Sequence, residues 1–287
     1  MVQMKVEKTI KTIITLFAIV ITTINSKAQE IIYEKADSIF IEQTISKYPA
    51  EESADKGNRI VALAQEFLGK EYVAGTLDKY DNEPLYISCS KLDCTTFVEL
   101  ILAMAISKSE RFAEVCRNVE LIRYRNGIRN GYTSRLHYIS WWISDPAKHS
   151  IIKEIKTNKH TAEQKLNLNF MSTHPDSYSL LKGNRQRTKE IATFEKENNN
   201  ASIKYIPKEN IGQMTYDEIK EGDIIAIVTA IEGLDVSHVG FAHWHCDVLH
   251  MIHASSTAGK VIDDPTPLAD YLAKRKSHLG IRIFRAL

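Results

Sequence analysis

Cys94-Thr95-Thr96-Phe97-Val98-Glu99-Leu100-Ile101-Leu102-Ala103-Met104-Ala105-Ile106 holds a single charged residue, Glu99. Its apolar side chains fall on every side of a 3.6-residue period, the pattern of a helix buried all round rather than one lying on a surface. Cys94 stands at the start of that helix, directly after Leu92-Asp93. Unpaired backbone N–H groups and the positive end of the helix dipole favour a thiolate at such a position. A free cysteine is equally at home as a small buried residue. Position alone therefore assigns Cys94 no chemistry, and a general base has to come from elsewhere in the chain.

Upstream, apolar residues recur at helical spacing over 33–48 and 55–68, with Gly69 as a stop. Downstream, helices are expected over 110–124 and 136–143. The more polar stretch 144–201 reads as a surface excursion with one helix around 185–197. From Ile203 the pattern turns to short β runs: Ile203–Ile206, Asp223–Thr229, His238–Trp244, Val248–His253, Lys260–Ile262 and Gly280–Phe284. Helices first and strands afterwards, without βαβ alternation, predict an α+β domain. Its antiparallel sheet would carry the buried helix with Cys94 at that helix's N-terminus.

The candidate base lies in the hairpin 238–253. A turn around His245-Cys246 sets His238 directly opposite His253, so both imidazoles point to one face of the sheet. One ring can then take the thiol proton while the other accepts the first ring's Nδ1–H and fixes its tautomer. His243 and His250 fall on the other face and His245 in the turn, where solvated surface positions are expected.

Three blocks, Leu92-Asp93-Cys94-Thr95-Thr96-Phe97, Ser237-His238-Val239-Gly240 and His253-Ala254-Ser255-Ser256, resemble the signatures of the NlpC-type cell-wall peptidases and amidases. Two further blocks are similar: Leu68-Gly69-Lys70-Glu71-Tyr72-Val73-Ala74-Gly75 upstream, and Gly222-Asp223 opening the strand before the base. The resemblance implies a papain-like fold and a Cys94-His238-His253 triad, with His253 orienting His238 and Tyr72 near the oxyanion. Gly75-Thr76-Leu77 and the segment from Arg123 to Tyr138 resemble the N-acetylmuramoyl-L-alanine amidase-like branch. Thr95-Thr96 stands where Ser-Gly usually follows the nucleophile in the broad family. On this resemblance the substrate is a muropeptide, a fragment of peptidoglycan, and the bond cut joins muramic acid to L-alanine. The alternative with the same triad is the γ-D-glutamyl bond to diaminopimelate. Asp93, Arg135, His137 and Tyr138 are expected on the substrate side, because arginine binds peptide carboxylates bidentately. No cofactor and no metal are called for.

Composition bounds the rest. With 44% hydrophobic and 25% charged residues over 287 positions the chain is globular and large enough to bury a core without disulfides. Lys+Arg 37 against Asp+Glu 36 gives no electrostatic case for a nucleic-acid partner. Lys5, Lys8 and Lys11 precede the apolar run Ile13 to Ile24, and Ser26-Lys27-Ala28 offers a cleavage site, so residues 1–28 read as a secretory signal. Residues 29–287 are then one catalytic domain, with its partly surface helical excursion at about 110–200. After cleavage it would be periplasmic or extracellular, without a stable membrane anchor.

Two rival classes stand beside the hydrolase. His238, His243, His245, Cys246, His250 and His253 are six potential ligands within sixteen residues, which raises a zinc-binding protein or zinc hydrolase. Alternating strand faces split that set, and no HExxH or CxxC spacing is present. A catalytically dead wall-binding module is the other. Once Cys94 is assigned, Cys89, Cys116 and Cys246 leave room for at most one disulfide.

Overall fold

The computed structural model describes residues 30–50, 56–145, 148, 150–157 and 161–287. The expected signal, 1–28, lies outside the described residues. Among the described residues no helix is long and apolar enough to cross a membrane.

Strand β1 (Ile31–Ile32) pairs in parallel with β3 (Leu85–Tyr86), and helices α1 (Lys35–Lys47) and α2 (Lys56–Gln65) open the domain. Helix α3 (Cys94–Ile106) is buried without interruption from Thr96 to Ala105, as its apolar sequence requires. Helix α4 (Phe112–Arg123) packs beside it. The two are tied by a buried ion pair, Arg123 Nε to Glu99 Oε2 at 2.7 Å, which explains the one charge in α3. Arg123 also donates to the Tyr86 carbonyl at 2.9 Å.

The main sheet runs β4 (Lys91–Leu92), β2 (Glu71–Tyr72), β11 (Lys260–Asp263), β10 (Val248–Ser255), β9 (Val236–His245), β8 (Ile224–Thr229), β12 (His278–Ala286), β7 (Ser202–Pro207) and β6 (Ala162–Lys165), with β5 (Ile152–Ile155) also on β12. Its ladders are antiparallel except for β2 with β4. Because side chains alternate across a strand, the sheet divides two cores. Val239, Phe241, Ile252 and Ala254 face the helices, where Phe97 lies edge-on between Phe67 and Phe241. Ala242, Leu249 and Met251 face the other side, against Leu268 and Leu272 of a short helix, α8 (Leu268–Ala273). Gly222 admits the closest approach between layers: its φ is +70°, and an added Cβ would stand 2.3 Å from the Gly57 carbonyl oxygen.

The excursion differs from its sequence reading. Helices α5 (Ile139–Ser144), α6 (Phe170–Thr173) and α7 (Arg185–Glu197) are present, but β5 and β6 between them extend the main sheet through β12 and β7. Trp141, Trp142, Tyr124 and Tyr138 are fully buried there. Ile-Lys-Glu-Ile and Ala-Glu-Gln-Lys are short and do not alternate apolar with polar residues as a strand would, and their pairing comes from the ladders they join rather than from their own pattern.

Candidate active site

Cys94 is the first residue of α3, and Asp93 is its N-cap. The Thr96 N–H donates to Asp93 Oδ1 at 2.8 Å, and the Asp93 N–H donates to Thr96 Oγ1 at 2.9 Å. This reciprocal box anchors the helix start, which gives Asp93 a structural task beside any contact with substrate and explains a hydroxyl residue at 96. Thr95 Oγ1 lies 4.0 Å from the Cys94 sulfur, and the Val239 backbone also hydrogen-bonds it. Among the described contacts no direct bond joins Cys94 to His238.

The hairpin register is shifted from the expected one. His243 pairs with His250 and Phe241 with Ile252, and the turn is Cys246-Asp247, with Cys246 at φ +56°. Continuing that ladder sets His253 opposite Gly240 and His238 opposite Ser255. A slip of two residues preserves the face each side chain takes, so His238 and His253 still share one face, as diagonal rather than direct neighbours. His238 Nε2 lies 2.6 Å from His253 Nδ1. The ring atoms therefore differ from the expectation: His238 meets His253 through Nε2, not Nδ1. Gly240 is the gap that lets this happen, since a Cβ there would fall 2.9 Å from that of His253.

The array continues past the two histidines. His253 Nε2 lies 3.3 Å from Asp264 Oδ2, and Asp264 in turn accepts from the Thr266 N–H at 2.9 Å. Tyr271 of α8 stacks on His238, with centroids 6.5 Å apart, and lies edge-on to His253 at 5.6 Å. Sequence reasoning missed both Asp264 and Tyr271. The turn signal Asp263-Asp264-Pro265 after a strand was available, but nothing local links it to His253.

Electrostatics set the resting state. Burial, with a smaller effect from the Asp93 charge, pushes the Cys94 thiol up to about 11. Burial, then the charges of His253, His278 and Arg275, pulls His238 down to about 3. Burial also pulls His253 down, although Asp264 opposes it. The helix dipole thus does not win: burial favours a neutral thiol at Cys94 and a neutral imidazole at His238, not the thiolate expected from the helix start. Tyr72, half-buried, is pushed up to about 12 by burial and by the neighbouring Cys94 and Asp93, so its hydroxyl stays a hydrogen-bond donor.

The Arg135 region is built differently. Arg135 is buried, and its guanidinium donates to both Glu83 oxygens at 2.7 Å, to Asp78 at 2.7 Å and to the Leu77 carbonyl at 2.6 Å. That fork is already satisfied, so a substrate carboxylate would have to displace an internal one. The Tyr138 hydroxyl donates to Glu195 at 2.7 Å inside the core. His137 lies 3.1 Å from the Tyr132 carbonyl and is pulled down to about 3 by burial and the Arg135 charge. These three residues form a packed block, separate in its bonding from Cys94, His238 and His253.

All four cysteines are free thiols. A cavity of about 360 Å³ is lined by residues of β5, β6, β7 and β12 among others and shares no residue with the Cys94 site. On the hairpin's opposite face His250 is buried, not solvated, with Nδ1 2.9 Å from the Asp264 carbonyl oxygen. His243, His245 and Asp263 on that face are the one group among the described residues that could share a metal ion.

Known proteins resemble this chain in sequence and fold. Residues 62–281 match the family described as AmiA-like, N-acetylmuramoyl-L-alanine amidase-like. The structure of an N-acetylmuramoyl-L-alanine amidase from Bacteroides uniformis is similar at TM-score 0.75 and 34% identity, over 81% of this chain and 99% of that one. A Bacteroides fragilis protein with a provisional xylanase name is similar at TM-score 0.72 and 42% identity, over 77% and 98%. A Legionella pneumophila protein follows at TM-score 0.64 and 25% identity, over 88% and 94%. No curated protein matches the chain.

Proposed function

This chain belongs to the N-acetylmuramoyl-L-alanine amidase-like family, and from that premise we propose that it is a secreted, papain-like cysteine hydrolase acting on muropeptides. The observation that carries the reading is the continuous array His238, His253, Asp264, on a strand whose next residue, Val239, touches the Cys94 sulfur. A buried filler cysteine has no need of two coupled imidazoles and a carboxylate.

Cys94 attacks the lactyl carbonyl of muramic acid where it is amide-linked to L-alanine. Because thiol and imidazole both rest neutral, the proton moves to His238 as the S–C bond forms, and His238 acts as general base rather than as half of a standing ion pair. The oxyanion takes the Cys94 backbone N–H, which has no intrahelical acceptor at this position, and the Tyr72 hydroxyl. Collapse breaks the C–N bond, His238 returns its proton to the alanine amine, and the sugar stays on sulfur as a thioester. Water, deprotonated by His238, then releases the muramic carboxylate. His253, backed by Asp264, holds the His238 ring in place throughout.

In this direction of cleavage the peptide carboxylates lie on the leaving side. Arg135 is committed to Glu83 and Asp78, so the cation assigned to them is Arg275. It is exposed, donates to the Thr257 hydroxyl at 3.5 Å, and bears on His238 electrostatically. Thr95-Thr96 in place of Ser-Gly supports the muramoyl–alanine bond over the γ-D-glutamyl bond to diaminopimelate. Mass spectrometry of a muramoyl tripeptide after incubation tests this. Free muramic sugar with intact tripeptide is the expected result; released diaminopimelate with a muramoyl dipeptide would move the cut and keep the nucleophile.

A further inference from the structure

The hairpin has a second array on the face turned away from His238 and His253. His243 and His245, two apart on β9, point to the same side. Asp263, paired with Ile252 at the end of β11, joins them there. Its Oδ2 stands 3.5 Å from His243 Nε2 and 3.2 Å from His245 Nε2. With bonds of about 2.0–2.1 Å, ligand atoms of a tetrahedral zinc site stand about 3.3 Å apart, so the two edges that meet at Asp263 already have that length, and all three ligand atoms lie within 4.8 Å of one another.

Two further observations point to a ligand. Asp263 Oδ1, the second oxygen of the carboxylate whose Oδ2 meets the two imidazoles, is buried with no hydrogen-bond partner among the described residues. The far nitrogen of His243, Nδ1, is held by the Glu221 carboxylate, whose other oxygen accepts the Trp244 N–H at 3.0 Å. A carboxylate behind an imidazole fixes the tautomer with a free Nε2 lone pair, the usual backing of a metal-bound histidine. His245 is braced by stacking on His250, with centroids 4.2 Å apart.

We propose that His243 Nε2, His245 Nε2 and Asp263 bind one zinc ion, with the fourth position open to water. Imidazole and carboxylate donors suit zinc better than magnesium or calcium, which take all-oxygen shells. The ion closes a clasp between the β9–β10 turn and the end of β11. Asp263 is followed directly by Asp264, which faces the other way and backs His253. The clasp thus steadies the strand end that carries the positioning carboxylate, without touching the Cys94 chemistry.

The test is calorimetric titration of untagged, chelator-stripped protein carrying Cys94→Ala, so that the thiol contributes nothing to metal binding and hydrolytic activity does not enter the readout. Zinc should bind at one equivalent and raise the melting temperature. Asp263→Asn, which keeps the shape of the side chain, and His245→Ala at an exposed position should each weaken binding at least a hundredfold, and Glu221→Gln about 10–100-fold. Circular dichroism checks that each variant is folded. Cobalt in place of zinc should give tetrahedral visible absorption that Asp263→Asn abolishes. No binding, or zinc affinity unchanged in folded Asp263→Asn and His245→Ala, would overturn the site.

Discussion

Asp263 and Asp264 are consecutive, yet each serves a different face of the same hairpin. Asp264 lies on the dry side, behind His253 and His238, where burial holds the imidazoles neutral. Asp263 lies on the wetter side with His243 and His245, the latter largely exposed. Identical residue types thus acquire opposite chemistry from which way a strand residue points. On one face a neutral ring can accept a proton; on the other, two rings and a carboxylate converge around a shared point. The Arg135 block is a third case, in which charges are buried but fully paired, and the pairing takes them out of play.

The largest effect is expected on the dry face. Cys94→Ala and His238→Ala should each lower kcat/KM for the muramoyl amide by about 10⁴ or more, with melting temperature nearly unchanged. Turnover at the wild-type rate by purified Cys94→Ala would remove the nucleophile from the mechanism. Next in size is Arg135→Ala, which leaves the buried Glu83 carboxylate without its Arg135 partner and should cost about 3–5 kcal/mol of stability by denaturant unfolding. A loss confined to KM in a fully stable Arg135→Ala would return that residue to the substrate.

His253→Ala should retain activity at about a hundredth of the wild-type rate, and Asp264→Asn at about a tenth, because each acts on His238 at one further remove. Equal, complete loss in both would make the array a unit rather than a graded support. Smaller again is the response to pH. His238 and His137 are held near 3 against the ordinary 6.5, so the unfolded chain takes up protons that the folded chain refuses. Stability from these groups is full above about pH 6.5 and declines as pH falls toward the folded values. Thermal melts from pH 7.5 to 4.5 should show this decline, while the acid limb of kcat/KM should lie below pH 6.5. An acid limb at the ordinary histidine value would mean that the base is more solvated than its burial suggests.

What could be read in advance followed from local physics. The uninterrupted apolar run of α3 is legible because a helix buried all round has only one kind of pattern, and the β runs after Ile203 alternate or cluster as strands must. The shared face of His238 and His253 was legible as well, since facing depends only on whether the register is even or odd. The register itself was not: a turn at Cys246-Asp247 instead of His245-Cys246 needs φ +56° at Cys246, which a non-glycine residue accepts only when the surrounding ladders demand it.

The sequence by itself therefore determined the helix that presents Cys94, the pairing of two imidazoles on one sheet face and the α+β order of elements, because each rests on periodicity along a single segment. Tertiary structure alone decided that the thiol is held neutral, that Arg135 is occupied by Glu83 and Asp78, and that Asp264 and Tyr271 complete one face while Asp263 completes the other. Those outcomes depend on desolvation and on contacts between residues far apart in the chain. Both are properties of the packed neighbourhood, which no local pattern encodes.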